Sequence, residues 1–347
     1  MNANDPRLVA ATSPFQKRPV DTPTIMRHVI YALIPVMLAA VYYFGLSALL
    51  LLAVCTIVCV LTEWLLTGRG RWQASTISDG SAIVTGILLA LTLPPSLPLW
   101  MAAVGAAIAI LFGKLLFGGL GQNVFNPSLT GRAFLQAAFP VAMTTWSEHS
   151  GAGRFLSVQG DALAPPFLRP HFDVLSGATP LARMKFEFEP TEVTDLLLGS
   201  TSGSLGETAA VLILLGGAYL AWRRFLNWRL PVGIFASVYL FASALHFIDP
   251  ARFPDGVHHL FAGGLVLGTM FMATDPVTSP VTPRGCWIFA VGVGLLVIVI
   301  RQFGGLPEGV MYAILLMNAA TPLIDRFTQP VLYGSREQLQ DDEYARR

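Results

Sequence analysis

The chain has 347 residues, of which 54% are hydrophobic and only 12% charged, with a formal net charge of +1. An ordinary soluble domain carries about 25% charged residues, so the composition excludes that class and argues for an all-α integral membrane protein. The near-neutral charge carries no signature of a nucleic-acid partner.

Residues 1–27 are polar, hold Arg7, Lys17, Arg18 and Arg27, and show no signal peptide. A membrane helix needs about 20 apolar residues. The run 28–66 suits two spans with Gly45 near the turn, and Cys55 and Cys59 within it read as small packing residues. A third span, 81–93, is stopped by Pro94, Pro95 and Pro98. At 1.5 Å per residue it rises only about 20 Å, short of a hydrocarbon core of about 30 Å. A fourth is expected over 99–117, and a fifth from "NVFNPSLTGRAF" to about 143. A polar stretch, 144–206, follows. Five more spans are then expected, at 207–222, 231–247, 260–273, 286–301 and 308–325.

The second five echo the first. Each third span is short and ends at a proline, in "TLP" (92–94) and "TDP" (274–276), and each fourth span leads into a "GG" turn. An odd number of spans per copy gives the copies opposite orientations. The expected architecture is therefore about ten transmembrane helices in two inverted five-helix repeats, 28–143 and 207–325, with broken third helices and a central site between them. With the N-terminus in the cytoplasm, 14 of the 22 basic residues fall in inside segments and five outside, as the positive-inside rule requires. The loop 144–206 holds seven acids and four bases. It is expected in the periplasm, and both the 1–27 segment and the 326–347 tail in the cytoplasm.

Within the loop lies "DVLSGATP". Gly177 permits positive φ, and Pro180 pushes Thr179 toward an extended conformation, which displays the Thr179 hydroxyl. No general base is adjacent in sequence, so that hydroxyl suits modification better than nucleophilic catalysis. A second set of polar residues faces the other side: Asp275 at the end of a truncated span, and Asn123 and Asn126 ahead of the fifth. Ionisable groups at membrane depth point to function by default, although "DP" and "NP" also make turns and caps. Arg132 puts a positive charge in a half-buried helix and requires a partner that the sequence does not name. No Cys/His cluster has metal-ligand spacing, and no G-x-G-x-x-G follows a strand, so nicotinamide chemistry would belong elsewhere. His258 and His259 point in different directions on a helix and mark an interface.

Asp173 to Thr179 match D-x-x-[S/T]-G-A-T, which resembles the motif at which a flavin transferase attaches FMN, by a phosphodiester, to the last threonine. With "SPF" at 13–15, "GGLGQNVFNPSLTGRAF" from Gly118 and "FMATDPVTSPVTPRG" from Phe271, nearly the whole chain resembles one family. That family comprises the D subunits of Rnf electron-transport complexes and the related B subunits of sodium-translocating NADH:quinone reductases. A first span near residue 28 fits the former, since the latter carry a longer N-terminal region.

The resemblance implies a subunit of an ion-translocating oxidoreductase in a bacterial inner membrane, not catalytic alone. It implies covalent FMN on Thr179, with Asp173, Ser176, Gly177 and Ala178 as the transferase recognition sequence. It further implies the other Rnf subunits and the flavin transferase as partners. Asp275, Asn123 and Asn126 are candidates for a second site, taking a coupling ion or a non-covalent flavin such as riboflavin. An inverted-repeat solute channel of urea-channel-like architecture is the rival reading, but a channel has no need of the residues 173–179. A purely structural anchor for other subunits would carry no flavin.

Overall fold

Apolar runs interrupted by glycine and proline become helices that start and stop at those residues. The structure, a computed structural model, describes residues 21–67, 76–146, 178–187, 191–199, 201–207, 210–250 and 253–330, with a few positions between 155 and 166. Asp173, Ser176, Gly177, the "SPF" of 13–15 and the tail beyond 330 lie outside the described residues, as does most of the 1–27 segment.

The described residues are all-helical. α1 (Thr22–Phe44) and α2 (Leu46–Thr67) are separated by Gly45 alone, at φ 64°. α3 (Ser81–Leu91) ends before the prolines, and α4 (Leu99–Gly113) runs into a 3₁₀ turn, Leu115–Phe117. α5 (Pro127–Ala138) and α6 (Pro140–Thr144) follow. In the loop, α7 (Pro180–Ala182) continues as a π turn, Arg183–Glu187, and α8 (Val193–Leu198) comes next. The rest consists of α9 (Ala210–Trp222), α10 (Arg229–Ile248), α11 (Gly256–Phe261), α12 (Leu265–Leu267), α13 (Pro283–Phe303) and α14 (Val310–Thr328).

Among the described residues, five helices are long and apolar enough to cross a membrane: Thr22–Phe44, Leu46–Thr67, Leu99–Phe117, Arg229–Ile248 and Pro283–Phe303. Their outward faces carry exposed Leu38, Ile57, Leu61, Leu65, Leu240, Phe247, Ile288 and Leu295. Apolar surface on this scale would be a liability in water, and a bilayer satisfies it.

Two expected spans are interrupted where the sequence reading ran them through. The fifth breaks at Phe139 (φ −132°, ψ 58°), because Pro140 has no N–H to continue the ladder. The stretch 260–273 breaks at Gly263, at φ 70°, between α11 and α12, then tightens into a π turn, Gly268–Met272. The two "GG" turns also differ: Gly118 and Gly119 take φ of 109° and 103°, whereas Gly304 takes −74°.

Helices approach through small residues, as membrane packing favours. α2 packs along α3 and α4, α4 along α5, α10 along α13 and α13 along α14. At Gly86 a Cβ would come within 2.6 Å of the Thr56 Cα, so α3 can touch α2 only because no side chain is there. Cys55 and Cys59 are buried and free, in line with a packing role. His259 lies at the α11–α13 interface: its carbonyl accepts from Arg301 Nη1 at 2.6 Å, and its Nε2 is 2.9 Å from Gln302 Nε2.

Candidate functional site

Pro180 fixes Thr179 in the extended conformation expected of a residue before proline, with φ −67° and ψ 154°. Its Oγ1 accepts from the Ala182 N–H at 3.2 Å, capping α7. The expectation of a displayed hydroxyl is corrected: Thr179 is only 6% exposed. The residues that enclose it come from other parts of the chain, and local turn chemistry carries no trace of them.

Thr179 forms one wall of a cavity of about 430 Å³. Arg132 and Gln136 of α5 line it, as do Trp146, Phe186, Glu308 and Tyr312. Lys185 ties the Thr179 segment to the second "GG" turn by donating to the carbonyls of Gly304 and Leu306. Burial lowers the pKa of this ammonium below the usual lysine range. The missing partner of Arg132 is Glu308: Arg132 Nη2 donates to Glu308 Oε2 at 2.5 Å, and Glu308 Oε1 accepts from Gly264 N at 2.6 Å.

A second cavity, of about 80 Å³, gathers Asp275, Asn123 and Asn126 with Ser81, Thr85 and Lys114. Asn126 caps α5, accepting from Ser128 N at 3.0 Å and Leu129 N at 3.3 Å, and its Nδ2 reaches Met272 O at 3.3 Å. Asp275 closes its own turn: Oδ1 accepts from Val277 N at 3.2 Å, and Oδ2 lies 3.5 Å from Thr278 Oγ1. Asn123 Oδ1 is buried without a hydrogen-bond partner among the described residues. Lys114, 1% exposed, donates to Glu63 Oε1 at 2.7 Å and to Ser81 Oγ at 2.6 Å.

The two cavities differ in what they can hold. Cofactor sites usually measure about 300–1,000 Å³. The Thr179 cavity is in that range and offers aromatic walls beside a hydroxyl, which fits a flavin bonded there. The Asp275 cavity is below that range and suits an ion with its waters.

A sequence model of the NQR2, RnfD, RnfE family matches residues 9–334. The chain belongs to this family. It is 42% identical over 336 residues to the D component of the proton-translocating ferredoxin:NAD(+) oxidoreductase complex of Clostridium ljungdahlii, covering 94% of this chain and 96% of the relative. It is 43% identical over 334 residues to the D component of the ion-translocating oxidoreductase complex of Stutzerimonas stutzeri, covering 89% and 91%. The D component of the Na(+)-translocating ferredoxin:NAD(+) oxidoreductase complex of Acetobacterium woodii is 40% identical over 335 residues, covering 95% and 96%. Family membership and the five spanning helices make the chain a multi-pass membrane protein.

Among this family member's polar residues, the sequence reading missed Glu63, Lys114 and Glu308. The signal for the first two was present: each is a charge within or at the end of an apolar run, and opposite charges at membrane depth tend to find each other.

Proposed function

We propose that the chain is the D-type membrane redox subunit of an ion-translocating oxidoreductase complex, and that it carries FMN covalently on Thr179. One observation carries the reading. The last threonine of D-x-x-S-G-A-T opens into a cofactor-sized cavity with aromatic walls, in a chain whose relatives bear the names of such subunits. A flavin bound there supplies one-electron carriage. Thr179 holds it, Trp146 and Tyr312 shield it, and a flavin transferase attaches it by reading Asp173 to Ala178. Partner subunits of the complex supply the nicotinamide chemistry.

The proposed setting is the bacterial inner membrane, with ten spans in two inverted halves, both termini cytoplasmic and the Thr179 loop periplasmic. The distribution of basic residues supports that orientation. The matching packing of α2 with α4 and α10 with α13, and of α4 with α5 and α13 with α14, supports the repeat. The test is direct. The purified chain, denatured in SDS, should fluoresce as a flavoprotein, and the tryptic peptide holding Thr179 should carry the mass of FMN. A dark band and an unmodified peptide would leave the channel and structural-anchor readings in its place.

We further assign Asp275, Asn123 and Asn126 to a second site for a coupling ion or small cofactor. By the repeat, Asp275 corresponds to Leu93, so fold symmetry does not demand its carboxylate. Asp275→Ala should slow turnover or uncouple it from ion uptake in proteoliposomes, normalised to assembled complex, and leave the flavin on Thr179 intact. Normal turnover and normal uptake together would reduce Asp275 to a turn residue.

A further inference from the structure

Arg132 stands in the wall of the Thr179 cavity with one edge of its guanidinium already in use. Glu308 takes Nη2, and the same carboxylate is held from its other oxygen by Gly264 N. The acid is thereby fixed from two sides, and it fixes the arginine in turn. A guanidinium presents five N–H groups in a rigid fork. Its remaining groups have no hydrogen-bond partner among the described residues, yet none is among the atoms sealed away from space without a partner. Arg132 is among the residues that line the cavity. A pair built only to join α5 to the Glu308 segment would not require a cavity at its free edge. Nor is Arg132 bonded to Thr179, whose Oγ1 is engaged with Ala182 N. Arg132 and Thr179 thus stand in one cavity wall without a hydrogen bond between them.

Resting on the FMN reading, we propose that Arg132, seated by Glu308, is a positioning residue for the flavin, donating to the pyrimidine end of its ring and holding up its reduction potential. Negative charge gathers at N1 and the C2 carbonyl when a flavin is reduced, so a fixed cation beside those atoms stabilises the reduced form. Burial strengthens the effect, because the same charge acts more strongly in a medium of low dielectric.

The experiment is a redox titration of the full chain, produced with its flavin transferase, purified in detergent and normalised by the fluorescence of the denatured band. At the wild-type midpoint, Arg132→Gln should raise the oxidised-to-reduced ratio about tenfold, a downward shift of about 59 mV for a one-electron couple. Arg132→Lys, which keeps the charge and loses the fork, should fall between. Glu308→Gln removes the negative charge hydrogen-bonded to the arginine and should move the potential the other way. If Arg132→Gln does not fold, the latter two variants decide. Flavin-loaded Arg132 variants that titrate with wild type would overturn this inference alone. So would a loss of attachment at unchanged potential, since that would place Arg132 at the phosphodiester. A wild-type chain without covalent flavin would overturn the FMN reading and this inference together.

Discussion

Thr179→Ala should abolish SDS-resistant flavin fluorescence completely while the chain still inserts and folds. The expectation is all-or-none, because in the proposed attachment the hydroxyl oxygen is the atom that would carry the phosphoryl group, and no neighbouring hydroxyl stands at the same point of the motif. The structural cost is small. Thr179 Oγ1 makes one bond to the Ala182 N–H, and losing such a cap costs about 0.5–2 kcal/mol. Thr179→Ser keeps both the hydroxyl and the cap, and partial attachment is expected. A Thr179→Ala chain that still fluoresces after denaturation would refute the assignment.

Breaking the ion pair beneath the second cavity should produce the largest loss of stability. Glu63 and Lys114 are 0% and 1% exposed and 2.7 Å apart. Two buried charges are costly to bring out of water, and their attraction offsets that cost only while both are present. Lys114→Met should therefore destabilise the protein by about 3–5 kcal/mol, since it removes the cation 2.7 Å from the buried Glu63 carboxylate. Combining it with Glu63→Gln should recover much of that loss, because the stranded charge is gone. Thermal unfolding in detergent, run as a double-mutant cycle, reads the difference. A single Lys114→Met variant as stable as wild type would mean that the two groups are not charged partners.

What the sequence made legible follows from the range of the forces involved. The helices of 22–67 and 81–91 were legible because apolar runs end at Gly45 and Pro94, and those residues act through their own backbone. The extended conformation of Thr179 was legible for the same reason. Asn126 was visible as a cap because "NP" announces one, although its reach to Met272 across 146 residues was not. The burial of Thr179 was missed because its enclosure comes from α5 and from residues 305–312, far away in the chain. Glu308 was missed as the partner of Arg132 because no pattern in one sequence links positions so distant. The break at Phe139 could have been read from Pro140. The break at Gly263 could not, since Gly263 and Gly264 fall in an apolar stretch rich in glycine, where most glycines serve packing.

The distance between Arg132 and Glu308 also sets an order of events during synthesis. The acid lies 176 residues after the base, and at 5–20 residues per second the ribosome needs roughly 10–35 s to reach it. Throughout that interval α5 holds an arginine whose hydrogen-bonded carboxylate has not yet been made, and the cavity lacks the side that Glu308, Met311 and Tyr312 provide. The pocket is thus finished only when the last helix enters the membrane. A transferase that acts on the finished pocket would modify only chains that have completed insertion, and covalent flavin would then mark a fully assembled fold.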